Sequence, residues 1–143
     1  MIVTDTSFLF SLFGNDGHTP AAQTWATQTN RPIAMTNLNR YEFGNAIRLA
    51  AFRKVISNGD AQNTLTAFEK DLKSGILQWV PCDLEAVLSE AARLSQLYTL
   101  ASGHRSFDIL HIATARVLKA RMILSFDLNQ RKLASALRLS VGP

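Results

Sequence analysis

Short apolar runs, each stopped by an acid, a proline or a hydroxyl residue, alternate along this chain with longer stretches whose apolar residues recur at helical spacing. The β-branched start from Met1 to Thr4 predicts a buried strand that ends at Asp5. Thr19-Pro20 reads as an N-cap and first helical residue, opening a helix with Ala22, Trp25 and Ala26 until Asn30 and Pro32 stop it. Pro32 to Met35 gives a second short strand. From Asn39 to about Ile56, Phe43, Ala46, Ile47 and Ala50 keep helical spacing, closed by Asn58 and Gly59. Asp60 is expected to cap the next helix, with Leu65, Phe68 and Leu72 as its buried stripe and Gly75 as its end. Ile76 to Val80 predicts a third strand, stopped by Pro81. Asp83 then caps a long amphipathic helix with Val87, Leu88, Ala91, Leu94 and Leu97 on one side. The loop Ser102-Gly103-His104 leads into a further helix, Met122 to Phe126 gives a fourth strand, Asp127 begins another helix, and Leu137 to Val141 predicts a last edge strand. Strands alternating with helices indicate an α/β fold with a mostly parallel sheet of four or five strands. No repeat, low-complexity segment or linker interrupts it, so residues 1–143 read as a single domain.

One helix raises a chemical question. HRSFDILHIATA places Asp108 in the first turn of a helix whose following turns (Ile109, Leu110, Ile112, Ala113, Ala115) are apolar nearly all round. Such a helix is expected to be buried, and a carboxylate there needs hydrogen bonds, a counter-charge or a metal.

Composition narrows the class. At 143 residues and 47% hydrophobic content the chain can bury one sizeable core and is not a disordered chain. No apolar run of about 18 residues occurs, and MIVTDTSFLF lacks the basic start and cleavage site of a secretory signal, so no membrane association and a cytoplasmic location are expected. The single cysteine, Cys82, forms no internal disulfide, agrees with a reducing compartment and reads as a small hydrophobe at a strand end. The net charge of +4 is uneven: from His104 onward seven basic residues stand against two acids, whereas residues 61–103 carry three basic residues and five acids. A basic region suits a polyanionic partner such as nucleic acid, and equally a solvated helix face.

Of eleven acids, four fall where a parallel sheet would bring them together. Asp5 and Asp127 end the first and fourth strands, Glu42 lies early in the helix after the second, and Asp108 begins the helix entered from a loop. Strand C-termini of a parallel sheet lie along one edge, where open α/β folds place their sites. Each acid also has a local reading. Asn39-Arg40-Tyr41-Glu42 and Asp127-Leu128-Asn129-Gln130 match capping boxes, Asp5 can cap a helix over Thr6 to Phe13, and Asp108 can complement its helix dipole. At an effective dielectric of about 20, two carboxylates about 4 Å apart repel by on the order of 4 kcal/mol, so a gathered set takes up protons or binds cations. An all-oxygen set suits Mg²⁺ or Mn²⁺, which can also hold phosphate oxygens. The chemistry expected is hydrolytic cleavage of a nucleic-acid backbone.

At these residues the chain resembles the PIN-domain family, most closely its VapC-type toxins of toxin-antitoxin pairs, over essentially its whole length. VTDTSFLFSLF gives Asp5 with Thr6 and Ser7 as supports, TNLNRYEFGNAI gives Glu42, HRSFDILHIATA gives Asp108, and ILSFDLNQRKLA gives Asp127. The resemblance implies a three-layer αβα sandwich. It implies that the four acids ligate Mg²⁺ or Mn²⁺ in a catalytic site of an endoribonuclease, and that a homodimer is held inactive by a cognate antitoxin protein. The last motif departs from many relatives, since Asn129 and Gln130 stand where a further acid often follows. Asn129 is a neutral oxygen donor at best, so one tightly held ion, with a second recruited by substrate, is the expectation.

Other residues are weaker candidates. Ser7 is expected to orient Asp5 or a bound water, with a helix-capping hydroxyl as the alternative. For His111 a buried structural role is favoured over one in the site. Arg105, Arg40, Arg48 and Arg131 are candidates for RNA backbone contact, each with surface charge as the alternative. Trp25 and Phe68 fall on apolar stripes and read as core or interface. Among rivals, a haloacid-dehalogenase-like enzyme needs a second aspartate where Ser7 stands. A catalytically silent PIN-like binding module and a DNA-directed nuclease of related fold remain open.

Overall fold

The computed structural model describes residues 1–29, 31–75 and 77–143. Asn30, expected to help stop a helix, and Ile76, expected to open a strand, lie outside them. The strands are β1 (Ile2–Thr4), β2 (Ile33–Met35), β3 (Leu77–Trp79), β4 (Met122–Leu124) and β5 (Ser140–Gly142), in spatial order β3-β2-β1-β4-β5 and parallel throughout. The helices are α1 (Thr6–Phe13), α2 (Thr19–Thr29), α3 (Asn37–Phe52), α4 (Asn58–Ser74), α5 (Leu84–Leu94), α6 (Leu100–Ser102), α7 (Ser106–Val117) and α8 (Leu128–Ala136). A π-helical stretch, Ser95–Thr99, joins α5 to α6. The expected α/β sandwich is therefore the observed one.

Strand periodicity sorts the core into two layers. Val3, Ala34 and Ile123 point to one face, where they pack with Val87, Leu94, Ile109, Ile112 and Leu133 of α5, α7 and α8. Their neighbours Ile33, Met35 and Leu124 point to the other, against Phe8, Leu9, Phe43, Ile47 and Phe68 of α1, α3 and α4. A sheet buried on both faces needs apolar residues at successive positions, which is why β2 (IAM) and β4 (MIL) read as unbroken apolar runs, while the edge strands β3 (LQW) and β5 (SVG) do not.

Three expectations fail at helix boundaries and faces. The helix after β2 ends at Phe52 rather than near Ile56. Lys54 takes a left-handed φ of 61°, with Val55 N–H donating to Ala50 O (2.9 Å) and Lys54 N–H to Ala51 O (3.0 Å), a Schellman closure made without glycine. Asn58 and Gly59 therefore open α4 instead of closing α3. Its cap is Ser57, whose Oγ accepts from the Asp60 N–H (3.0 Å), and Asp60 is the reciprocal partner, not the cap. On α5, Val87, Ala91 and Leu94 are buried as expected, but Leu88 (52%) and Leu97 (58%) are exposed. Leu88 sits one residue round from the stripe, and the π stretch turns Leu97 off it.

The crossover directions position the site. β2 and β3 extend the sheet on one side of β1, while β4 and β5 lie on the other. The strand order thus reverses between β1 and β4, and the crevice beyond their C-terminal ends is where an open α/β sheet can receive a ligand. Among the described residues, no helix is long and apolar enough to cross a membrane.

Candidate active site

Asp5 follows β1 directly and is almost wholly buried. Its Oδ1 accepts from the Phe8 N–H (2.9 Å), so it does cap α1. Ser7 Oγ lies 2.8 and 2.9 Å from its two oxygens, and Ser125 Oγ donates to Oδ2 at 2.6 Å. The same two hydroxyls accept from the N–H groups of Phe126 (2.9 Å) and Asp127 (3.0 Å). The end of β1 is thereby laced to the end of β4. Burial pushes the Asp5 carboxyl above its usual range, against the opposing pull of His111, Ser125, Phe8 N–H and Ser7.

Glu42 extends from α3. The capping box proposed for Asn39 to Glu42 is not the one used: Thr36 is the N-cap, and Asn39 Oδ1 accepts from the Thr36 N–H (3.1 Å). Glu42 is left free to face Thr6, whose hydroxyl donates to it, and His111, whose Nε2 lies 2.5 Å from its Oε2. Asn39 Nδ2 donates to Thr4 O (2.8 Å) and faces His111 Nδ1 at 3.5 Å, which leaves Nε2 to carry the proton given to Glu42. Burial works to raise the Glu42 carboxyl, but the hydrogen bond and charge of His111, with Thr6, outweigh it and hold it below its ordinary value. His111 is thus both buried and directed at the site.

Asp108 is buried in the first turn of α7, where its Oδ2 accepts from the backbone N–H of Arg105 (3.3 Å). The Arg105 guanidinium grips it as well, at 2.9 Å to Oδ2 and 3.2 Å to Oδ1. It also reaches Asp127 Oδ2 at 3.4 Å. Asp127 caps α8 through the Gln130 N–H (2.8 Å), while the Gln130 side chain turns to Asp108 (3.4 Å) instead of closing a box.

All four acids line one pocket of about 200 Å³, with Thr6, Ser7, Arg105, His111 and Gln130. A roomier pocket of about 800 Å³ between α1 and the α3–α4 turn shares no residue with it. Of the other predicted residues, Asn129 lies on the exposed side of α8. Arg40 is held by Glu69 (2.9 Å), Arg131 by the carbonyls of Ser125 (2.7 Å) and Pro143 (2.5 Å), and Arg48 is exposed on α3. Ser125 went unread in the sequence, and Gln130 was read only as a capping-box partner of Asp127, not as a donor to Asp108. A hydroxyl two residues before Asp127, mirroring Ser7 two residues after Asp5, was the available signal for the first.

In this arrangement no three His, Cys, Asp or Glu donors among the described residues already form a metal cage. The Arg105 guanidinium supplies positive charge in its place. The donor chemistry nonetheless fits a hard divalent cation: four carboxylates at one pocket, two of them engaged by an arginine side chain that is 76% exposed.

Comparison with known proteins follows the same lines. No curated protein sequence matches significantly. Among solved structures, the chain is similar to Mycobacterium tuberculosis VapC20, described as a sarcin-ricin loop cleaving toxin (TM-score 0.72, 15% identity, 100% of both chains). It is also similar to FitAcB from Neisseria gonorrhoeae (TM-score 0.67, 17% identity, 100% of this chain and 97% of that one). A third is VapBC2 from Rickettsia felis, bound to a DNA fragment from their promoter (TM-score 0.64, 15% identity, 99% and 97%). These likenesses concern the fold. Residues 2–136, which carry every strand but the last and all four acids, match the model of the PIN domain family, and the chain accordingly belongs to that family.

Proposed function

We propose that the protein is a Mg²⁺- or Mn²⁺-dependent endoribonuclease acting as the toxin of a toxin–antitoxin pair. The observation that carries this reading is the convergence of Asp5, Glu42, Asp108 and Asp127, from four separate segments, on one pocket at the sheet's switch point. Membership of the PIN family supports a nuclease. The description of one structural neighbour as a sarcin-ricin loop cleaving toxin, and the naming of another as VapBC2, support the toxin role and an antitoxin partner. A homodimer and a cytoplasmic setting complete the proposal, the latter in keeping with the lone Cys82.

Asp5, Asp108 and Asp127, with Glu42, are the residues that would hold the cation. When bound, it supplies Lewis-acid polarisation of a phosphodiester and a water made nucleophilic near neutral pH. Ser7 and Ser125 fix the orientation of Asp5 with short hydrogen bonds from either side. Glu42, held ionised by His111 and Thr6, orients a water by accepting its proton in a hydrogen bond. Arg105, on a flexible and exposed stem, exchanges carboxylate for phosphate as the RNA backbone arrives, since its planar fork suits either anion.

The test is incubation of the purified protein with structured RNAs and Mg²⁺ or Mn²⁺, beside Asp5→Asn and Asp108→Asn. Each variant is expected to lose about a hundredfold or more of the cleavage rate. Equal rates in wild type and variants would overturn the assignment, and cleavage of DNA in place of RNA would move the protein to the rival nuclease class.

A further inference from the structure

A second pocket, of about 430 Å³, is walled by Tyr98, Ser102 and His104 on one side and by Asn129, Lys132 and Leu133 of α8 on the other. The two pockets are neighbours by construction. His104 lines the second and Arg105, the next residue, lines the first. On α8, Asp127 and Gln130 face the carboxylates, while Asn129, Lys132 and Leu133 line the second pocket. At about 100° per residue, Asp127 and Gln130 lie on a different face of α8 from Asn129, Lys132 and Leu133, so the two pockets flank the start of that helix and the His104–Arg105 backbone step joins them.

The linings differ in chemistry. The first pocket carries four carboxylates; among the described residues no acid lines the second, which offers an aromatic ring, an imidazole, a primary amide and an ammonium group. Its volume falls in the range of about 300–1,000 Å³ usual for small-ligand sites. His104 is only 9% exposed, and its Nδ1 is buried with no hydrogen-bond partner among the described residues. A buried imidazole nitrogen left unpaired in a native fold calls for an explanation. It sits in the pocket wall, where a ligand could provide a partner after a small turn of the ring. Tyr98 belongs to the π-helical stretch, a local widening of the helix that is frequent at functional sites.

We infer that this pocket receives one unpaired nucleotide of the RNA strand beside the cut. Its base lies against Tyr98 and His104, Asn129 pairs with the base edge, and Lys132 meets the adjoining phosphate. Single-stranded RNA is read in this way, by stacking on aromatic side chains and by hydrogen bonds to exposed base edges, with lysine positioning the backbone. The inference rests on the nuclease reading, to which it adds the determinant of where the strand is cut.

The test uses the full chain carrying Asp5→Asn, which blocks cleavage, and fluorescein-labelled homopolymers of A, C and U of about six nucleotides, with binding read by fluorescence anisotropy. The parent is expected to prefer one homopolymer by about tenfold, as the difference between a good and a poor stack predicts. Tyr98→Leu or His104→Asn should shrink that spread to within about twofold, and Lys132→Gln, at an exposed site, should weaken all three alike. A spread flattened in either aromatic-wall variant supports the assignment. A spread that survives in both, or a parent that binds the three equally or not at all, overturns it. Cleavage by the wild type with Mn²⁺ is scored separately. A base preference without cleavage retains the pocket and removes the nuclease reading, whereas cleavage without preference does the reverse.

Discussion

Arg105 carries a side chain 76% exposed to solvent, yet its guanidinium bridges Asp108 and Asp127. Its exposed stem loses little on moving, so the guanidinium acts as a replaceable counter-ion. Arg105→Gln is expected to lower the melting temperature in EDTA by a few degrees, as loss of a partly exposed ion-pair bridge worth about 1 kcal/mol implies. On the proposed function it should also tighten Mn²⁺ binding severalfold by calorimetry, because no guanidinium would then compete with a cation for Asp108 and Asp127; unchanged Mn²⁺ affinity would refute this role. Asp108 was legible in the sequence, since an acid opening an apolar helix demands a partner. Its partner Arg105 stands only three residues before it and was read as a candidate for RNA backbone contact, whereas Ser125 for Asp5 and Thr6 and His111 for Glu42 were not legible, because those contacts span 36 to 120 positions of sequence. The local and functional readings of the acids also proved compatible: Asp5 and Asp127 cap helices and line the pocket at once.

At the scale of elements, helix starts and ends were each legible at some positions and misread at others: the caps of α3 and α4 are Thr36 and Ser57, not Asn39 and Asp60. Asp83 caps α5 as its sequence position suggests. Helix ends that carry glycine, at Gly75 and Gly103, were equally visible. Three other turns place a basic residue in the left-handed region, Lys54 after α3, Lys119 after α7 and Arg138 after α8, and each is closed by the same pair of backbone bonds. No glycine marks these closures, so the end of α3 was misplaced. A non-glycine residue at such a φ is strained by about 1 kcal/mol, partly offset by the greater chain entropy that glycine has when unfolded. Lys54→Gly is therefore expected to raise stability by up to about 1 kcal/mol, read as a urea midpoint higher by a few tenths molar. A lower midpoint would show that the Lys54 side chain contributes more than its backbone strain removes.

Across the molecule, the layer beside the site is held together by charge as well as by packing. Glu90 on α5 accepts from Arg93 of its own helix and from Arg116 of α7, at 2.8 and 2.5 Å. Its carboxyl is pushed down to about 2 from an ordinary value of 4.5, by the Arg93 hydrogen bond first and then by Arg116 against some burial. A group whose folded pKa is depressed stabilises the fold above its unfolded value and loses that contribution as pH falls through the folded one. The melting-temperature gap between wild type and Glu90→Gln should thus be full at pH 6, shrink below about pH 4.5 and vanish near pH 2. A gap independent of pH would assign the effect to packing. The layered α/β architecture and the four acids were set by the chain's own pattern, because short continuous apolar runs, helical stripes and an acid at a strand end are local signals. Which side of β1 receives β4 was decided only in three dimensions, and with it the crevice that joins Asp5 to Asp127. The cations and hydroxyls that balance those carboxylates were settled there too, because charge is compensated through space and sequence distance does not record who stands beside whom.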